Sequence, residues 1–173
     1  MTQQPPTSNL IGVPFPAEPG TFGVCHGSGI VADVIRHATE SWAGHAVMYV
    51  GNKQVVEARY PKVVLDAAPA DNVVWATKQP LTPAQRVTIV SAARELVGAS
   101  YDISVYPVLA AAVFYAAATK DFSHLFATDK WWDCSGLVAH CDLAAGVNLY
   151  GAIDPHLVTP AQLMQLGVQE GWF

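Results

Sequence analysis

Residues 45–60 constrain the fold more than any other stretch. They read HAVMYV, GNK and QVVEARY: two apolar runs rich in β-branched and aromatic residues, on either side of a turn tripeptide, closed by Pro61. That pattern specifies an antiparallel hairpin. It predicts a strand from His45 to Val50, a loop over 51–53 and a returning strand from Gln54 to Tyr60. Shorter strand signals lie at Thr21–Val24, Val63–Leu65 and Val73–Ala76.

Helical spacing accounts for most of the remainder. Ile30, Val31, Val34, Ile35 and Ala38 recur as one face of a helix over Ile30–Thr39. Thr82 can cap a second helix and Pro83 suits its first position. This helix is expected to run to about Val97 and to stop at Gly98. Residues 105–119 (VYPVLAAAVFYAAAT) are strongly apolar and predicted helical after Pro107. A further helix is expected over Cys134–Ala145, ended by Gly146. Thr159-Pro160 repeats the cap-and-proline start for a short last one, PAQLMQLG. Strands among helices, then mostly helices, make an α+β domain with an antiparallel sheet packed against helices. The domain is expected over 19–173, behind an extended, proline-rich arm over 1–18.

Hydrophobic residues make up 51% of the chain and charged ones 13%, which fits a packed core rather than disorder. The formal net charge of -5 lacks the basic footprint of a nucleic-acid binder. No run of about 20 apolar residues occurs, so no spanning helix is expected. The arm has no charged segment followed by an apolar one, so no secretory signal is expected and synthesis is assigned to the cytoplasm. The three cysteines make no disulfide framework. On a helix Cys134 and Cys141 would stand about 10 Å apart along the axis, too far to bond. Reduced thiols are expected. Cys25, His26 and His37 lack the spacing of a zinc site, and Gly27-Ser28-Gly29 is not followed by the lysine of a phosphate loop. No metal or other cofactor is expected.

The segment WWDCSGLVAHC, residues 131–141, carries the chemical question. Asp133 is a good N-cap, which puts Cys134 in the first turn of a helix, where the dipole favours a thiolate. Cys134 is therefore a candidate nucleophile. Leu137, Val138 and Cys141 share its face, so a buried core thiol is the competing reading. A nucleophilic thiol needs a base. His45 opens a strand, a rigid mount, and Glu57 follows twelve residues later on the returning strand. A three-residue loop puts both side chains on one sheet face, where Glu57 can orient the imidazole; a one-residue slip would separate them. Otherwise His45 is a strand-edge residue and Glu57 a solvated one. His124, His140 and His156 have no evident partners.

The segment WDCSGLVAHCDLAAGVNL resembles the Asp-Cys-Ser-Gly motif of the NlpC/P60 papain-like cysteine peptidases, and GHAVMYVGNKQVVEA resembles their strand pair. The histidine here precedes the cysteine, which is similar to the circularly permuted branch, the YiiX/YaeF-like amidases and their lecithin:retinol acyltransferase relatives. PGTFGVCHGSGIVADVIRHATESWAGHAVMYVG is similar to that group's opening, with Thr21 where an aspartate is usual. ARELVGASYD resembles its helix-Gly-x-x-Tyr segment and LVTPAQLMQLG its closing segment. The resemblance spans roughly residues 19–167. It implies a papain-like fold with Cys134 as nucleophile, His45 as general base, Glu57 as orienting residue and Tyr101 beside the oxyanion. Trp131 and Trp132 are candidate walls of the substrate cleft, or else core anchors. The 32 residues between Tyr101 and Cys134 depart from the family pattern; their apolar part is read as core in preference to a lid.

Three functions follow from this resemblance. The first is a thiol amidase or peptidase acting on a peptidoglycan stem peptide or a similar small amide. The second uses the same thiol on lipid acyl groups, with 105–119 against lipid. The third is a non-catalytic module of a larger assembly, tethered through the arm. A wall-directed enzyme without a leader would need another route, such as delivery by a phage particle.

Overall fold

The computed structural model describes residues 18–69, 72–100 and 132–173. Tyr101, Trp131, the apolar segment 105–119 and all of the arm before Glu18 lie outside them. Within the described residues the chain is α+β. Strands β1 (Phe22–Cys25), β2 (His45–Gly51), β3 (Gln54–Arg59), β4 (Lys62–Ala67) and β5 (Val73–Trp75) form one sheet, ordered β4-β3-β2-β1-β5, and every pairing is antiparallel. The helices are α1 (Ile30–Thr39), α2 (Pro83–Glu95), α3 (Cys134–Ala144) and α4 (Pro160–Gln169), with a 3-10 turn at Pro155–Leu157. None of the described helices is long and apolar enough to cross a membrane.

Alternation along the strands makes two faces. Phe22, Val24, Ala46, Met48, Val56, Ala58 and Val74 belong to the main core, which they share with Ile89 of α2, Leu137 and Val138 of α3 and Leu163 of α4. Cys25, Val47, Tyr49, Val55, Val73 and Trp75 form a second, smaller cluster. The chain end reinforces the main core: Trp172 and Phe173 both pack edge-on against Phe22, with ring centroids 6.3 Å away.

Helix starts follow local chemistry. Thr82 and Thr159 each form a full capping box, with Gln85 and Gln162, and each is followed by proline. Each box satisfies two backbone N–H groups, four in all. The helix α1 begins differently, after Gly29 at φ 86, with no side-chain cap. All three cysteines are free.

The hairpin departs from the expected loop in an instructive way. Asn52 and Lys53 form a two-residue turn, both at positive φ (53° and 57°), as the twist of a tight hairpin demands. An irregularity between Tyr49 and Gly51 then adds one residue to β2. A two-residue turn plus a bulge restores the register that a three-residue loop would give. Met48 therefore lies opposite Val56, and His45 and Glu57 share a face.

Gly44, immediately before His45, has no room for a side chain. A Cβ there would lie 2.5 Å from the His26 carbonyl oxygen and 2.9 Å from that of Ala32. Both are backbone atoms, so the start of β2 would have to move. We expect Gly44→Ala to cost about 2 kcal/mol and to slow any chemistry that relies on His45. Urea unfolding checks this; wild-type stability in the variant would show that the strand start is not sterically locked.

Candidate active site

Asp133 caps α3 as expected. Its carboxylate accepts from the Gly136 N–H at 2.6 Å and from the Ser135 hydroxyl at 3.1 Å. Burial raises the Asp133 pKa to about 6, against the pull of those hydrogen bonds and of the His156 charge. The cap delivers Cys134 into the first helical turn. The Cys134 side chain is nearly enclosed, with the residue 2% exposed, and yet it lines a cleft of about 810 Å³. The cap engages the Gly136 N–H, while the Cys134 N–H has no hydrogen-bond partner among the described residues. A backbone N–H so placed can donate to an oxyanion.

His45 and Glu57 line the same cleft. The His45 Nε2 lies 2.6 Å from Glu57 Oε2 across β2 and β3. With Nε2 engaged, Nδ1 is the ring nitrogen left for the Cys134 thiol, whose influence raises the His45 pKa. Burial alone would favour the neutral imidazole. The charge of and hydrogen bond to Cys134, together with the Glu57 carboxylate, outweigh it and hold the His45 pKa well above its ordinary value. The arrangement therefore favours a protonated imidazole at His45, in the cleft that Cys134 also lines.

The other thiols are in the opposite situation. Burial pushes the Cys25 thiol up despite the neighbouring His45, and burial beside Asp142 pushes Cys141 far up. Cys25 lies opposite His45 in the β1–β2 pairing and lines the cleft. Its proximity to the site depends on a strand pairing across α1, which leaves no local trace in the sequence.

Trp132 does not border the cleft. Its ring stacks on His156 at 4.7 Å and meets His140 at 4.5 Å, and it packs against the main core. The Trp132 backbone N–H donates to the Ser100 carbonyl at 3.2 Å, which ties the approach to Cys134 to the segment after α2. The described residues that line the cleft include Val31, Ala32, Ile35 and Trp42, together with Arg59 and Asp66. Sequence reasoning missed Arg59 and Asp66. The period of two along β3, which puts Arg59 on the face of Glu57, was the available signal.

Compared with models of known families and with curated proteins, the chain matches none.

Proposed function

We propose that this chain is a cysteine-dependent amide hydrolase with a papain-like arrangement, in which Cys134 is the nucleophile, His45 the general acid–base and Glu57 the residue that orients it. One observation carries the reading: His45 stands between Glu57, at 2.6 Å, and a thiol at a helix N-terminus, inside a cleft. The Cys134 sulfur attacks the amide carbonyl carbon while its proton resides on His45. The oxyanion that forms is held by the Cys134 N–H, with Tyr101 the proposed second donor. His45 then protonates the departing amine as the C–N bond breaks, leaving an acyl-thioester. His45 next takes a proton from water, whose oxygen displaces the sulfur and releases the acid. A peptidoglycan stem peptide or similar small amide is the proposed substrate, on the motif resemblance.

Iodoacetamide tests the central pair without a substrate. At about pH 6 an ordinary thiol is scarcely ionised. We expect Cys134 to be alkylated well ahead of Cys25 and Cys141, as mapped by mass spectrometry, and His45→Ala to abolish that preference. Equal labelling of Cys134 in the two proteins would overturn the pairing.

A further inference from the structure

The Glu57 carboxylate has two oxygens, and His45 occupies only one. The other, Oε1, faces Arg59 Nη1 at 3.6 Å. Arg59 Nη2 in turn donates to Asp66 Oδ2 at 2.8 Å. The pairing pattern explains the chain of contacts. Glu57 and Arg59 are two apart on β3 and project to one face. Asp66 lies on β4 opposite Val55, which shares that face. Arg59 itself lies opposite Lys62, so its side chain runs back along the strand, past Glu57, to reach Asp66. Asp66 is anchored in its turn, since its Oδ1 accepts from the Ala67 N–H at 2.7 Å.

We propose that Arg59 is a positioning residue for Glu57, and that Asp66 holds Arg59 in that role. This rests on the cysteine-hydrolase reading above. A carboxylate with one oxygen on an imidazole can swing about its Cγ–Cδ bond. A guanidinium on the other oxygen stops the swing and keeps Oε2 on His45. The guanidinium also offsets part of the Glu57 charge, which moderates how firmly His45 holds its proton. Arg59 is 60% exposed, so its charge is screened and its effect on stability is small. Its position, lining the cleft beside Glu57, makes it matter for reactivity instead.

The test is a double-mutant cycle on the full chain, read by the rate of Cys134 alkylation with iodoacetamide. Arg59→Gln is expected to slow labelling about twofold, the low end of coupling for residues in contact. In a Glu57→Gln background the same change should do nothing further, because Arg59 acts through Glu57. Arg59→Lys keeps the charge and should recover part of the rate. Asp66→Asn should slow labelling in the same direction and add nothing in an Arg59→Gln background, because Asp66 acts through Arg59. Equal slowing by Arg59→Gln in both backgrounds, or no slowing in the wild-type background, overturns the proposal. If His45→Ala leaves labelling unchanged, the hydrolase reading fails first. If only the Arg59 effects are missing, that reading stands without the positioning role.

Discussion

Cys134→Ala is expected to remove amide hydrolysis, by on the order of 10⁴-fold or more in kcat, with the fold retained. The loss is this large because in the proposed mechanism the thiol forms a covalent bond, and neither His45 nor the helix N-terminus can replace it. Residual turnover would come only from substrate binding and the Cys134 N–H. The fold survives because the substitution is small. Cys134 begins a helix whose buried side is held by Leu137 and Val138, and the Asp133 carboxylate continues to accept from the Gly136 N–H. Alanine also suits a helix better than cysteine. Cys134→Ser should be nearly as inactive, since a hydroxyl does not ionise against an imidazole at neutral pH. Peptidoglycan fragments are the first substrates to assay, followed by acyl lipids, with a thermal melt as the control for folding. Full activity in a folded Cys134→Ala protein would return Cys134 to the core and leave a binding or assembly role as the account.

Asp142→Asn is expected to stabilise the protein at alkaline pH and to change little in acid. Asp142 is fully buried in α3. Its Oδ1 accepts from the Gln79 amide at 3.2 Å, while its Oδ2, the Gln79 Oε1 and the Tyr150 hydroxyl have no partner among the described residues. Burial raises its pKa to about 8, against the Gln79 hydrogen bond and the Arg86 charge. The folded protein thus holds this proton through neutral pH, whereas an unfolded chain releases it near pH 4. Each pH unit between those values costs about 1.4 kcal/mol of stability. The contribution is complete below the unfolded pKa and is lost as pH rises through the folded one. Asparagine has no proton to lose, and its amide can donate where Oδ2 now lies unpartnered. Urea unfolding of both proteins at about pH 4.5 and about pH 8.5 measures the difference. The variant should match the wild type in acid and exceed it by several kcal/mol in base. A difference independent of pH would mean that Asp142 is ionised in the fold.

Local chemistry made much of this fold legible. Thr82-Pro83 and Thr159-Pro160 announce helices because a hydroxyl and a fixed φ satisfy the needs of a first turn whatever surrounds it. Asp133 announces the α3 start for the same reason, and with it the placement of Cys134. The two runs around residues 51–53 announce a hairpin, because alternation and β-branched side chains suit a pleated strand. Even the shared face of His45 and Glu57 was readable. The turn is shorter than expected, but the bulge at Tyr49–Gly51 restores the parity.

Distant pairings were not readable. The strand β5 joins β1, with Val74 opposite Val24, across the whole hairpin and β4. A pairing of that range is chosen by how the completed sheet buries its faces, and three residues, Val73–Trp75, carry too little pattern to declare their neighbour. The same holds for Cys25 opposite His45, for α1 as a cleft wall, and for Arg59 bridging Glu57 to Asp66. Trp132 makes the point in reverse. Its place beside Cys134 in the chain suggested the cleft, but successive residues at a helix start point in different directions, and its ring lies between His140 and His156. Backbone preferences act over a few residues, so they reveal the helical mount of Cys134, the strand of His45 and the register between His45 and Glu57. The meeting of that thiol and that imidazole, across most of the chain, exists only once the sheet and helices have closed on a common core.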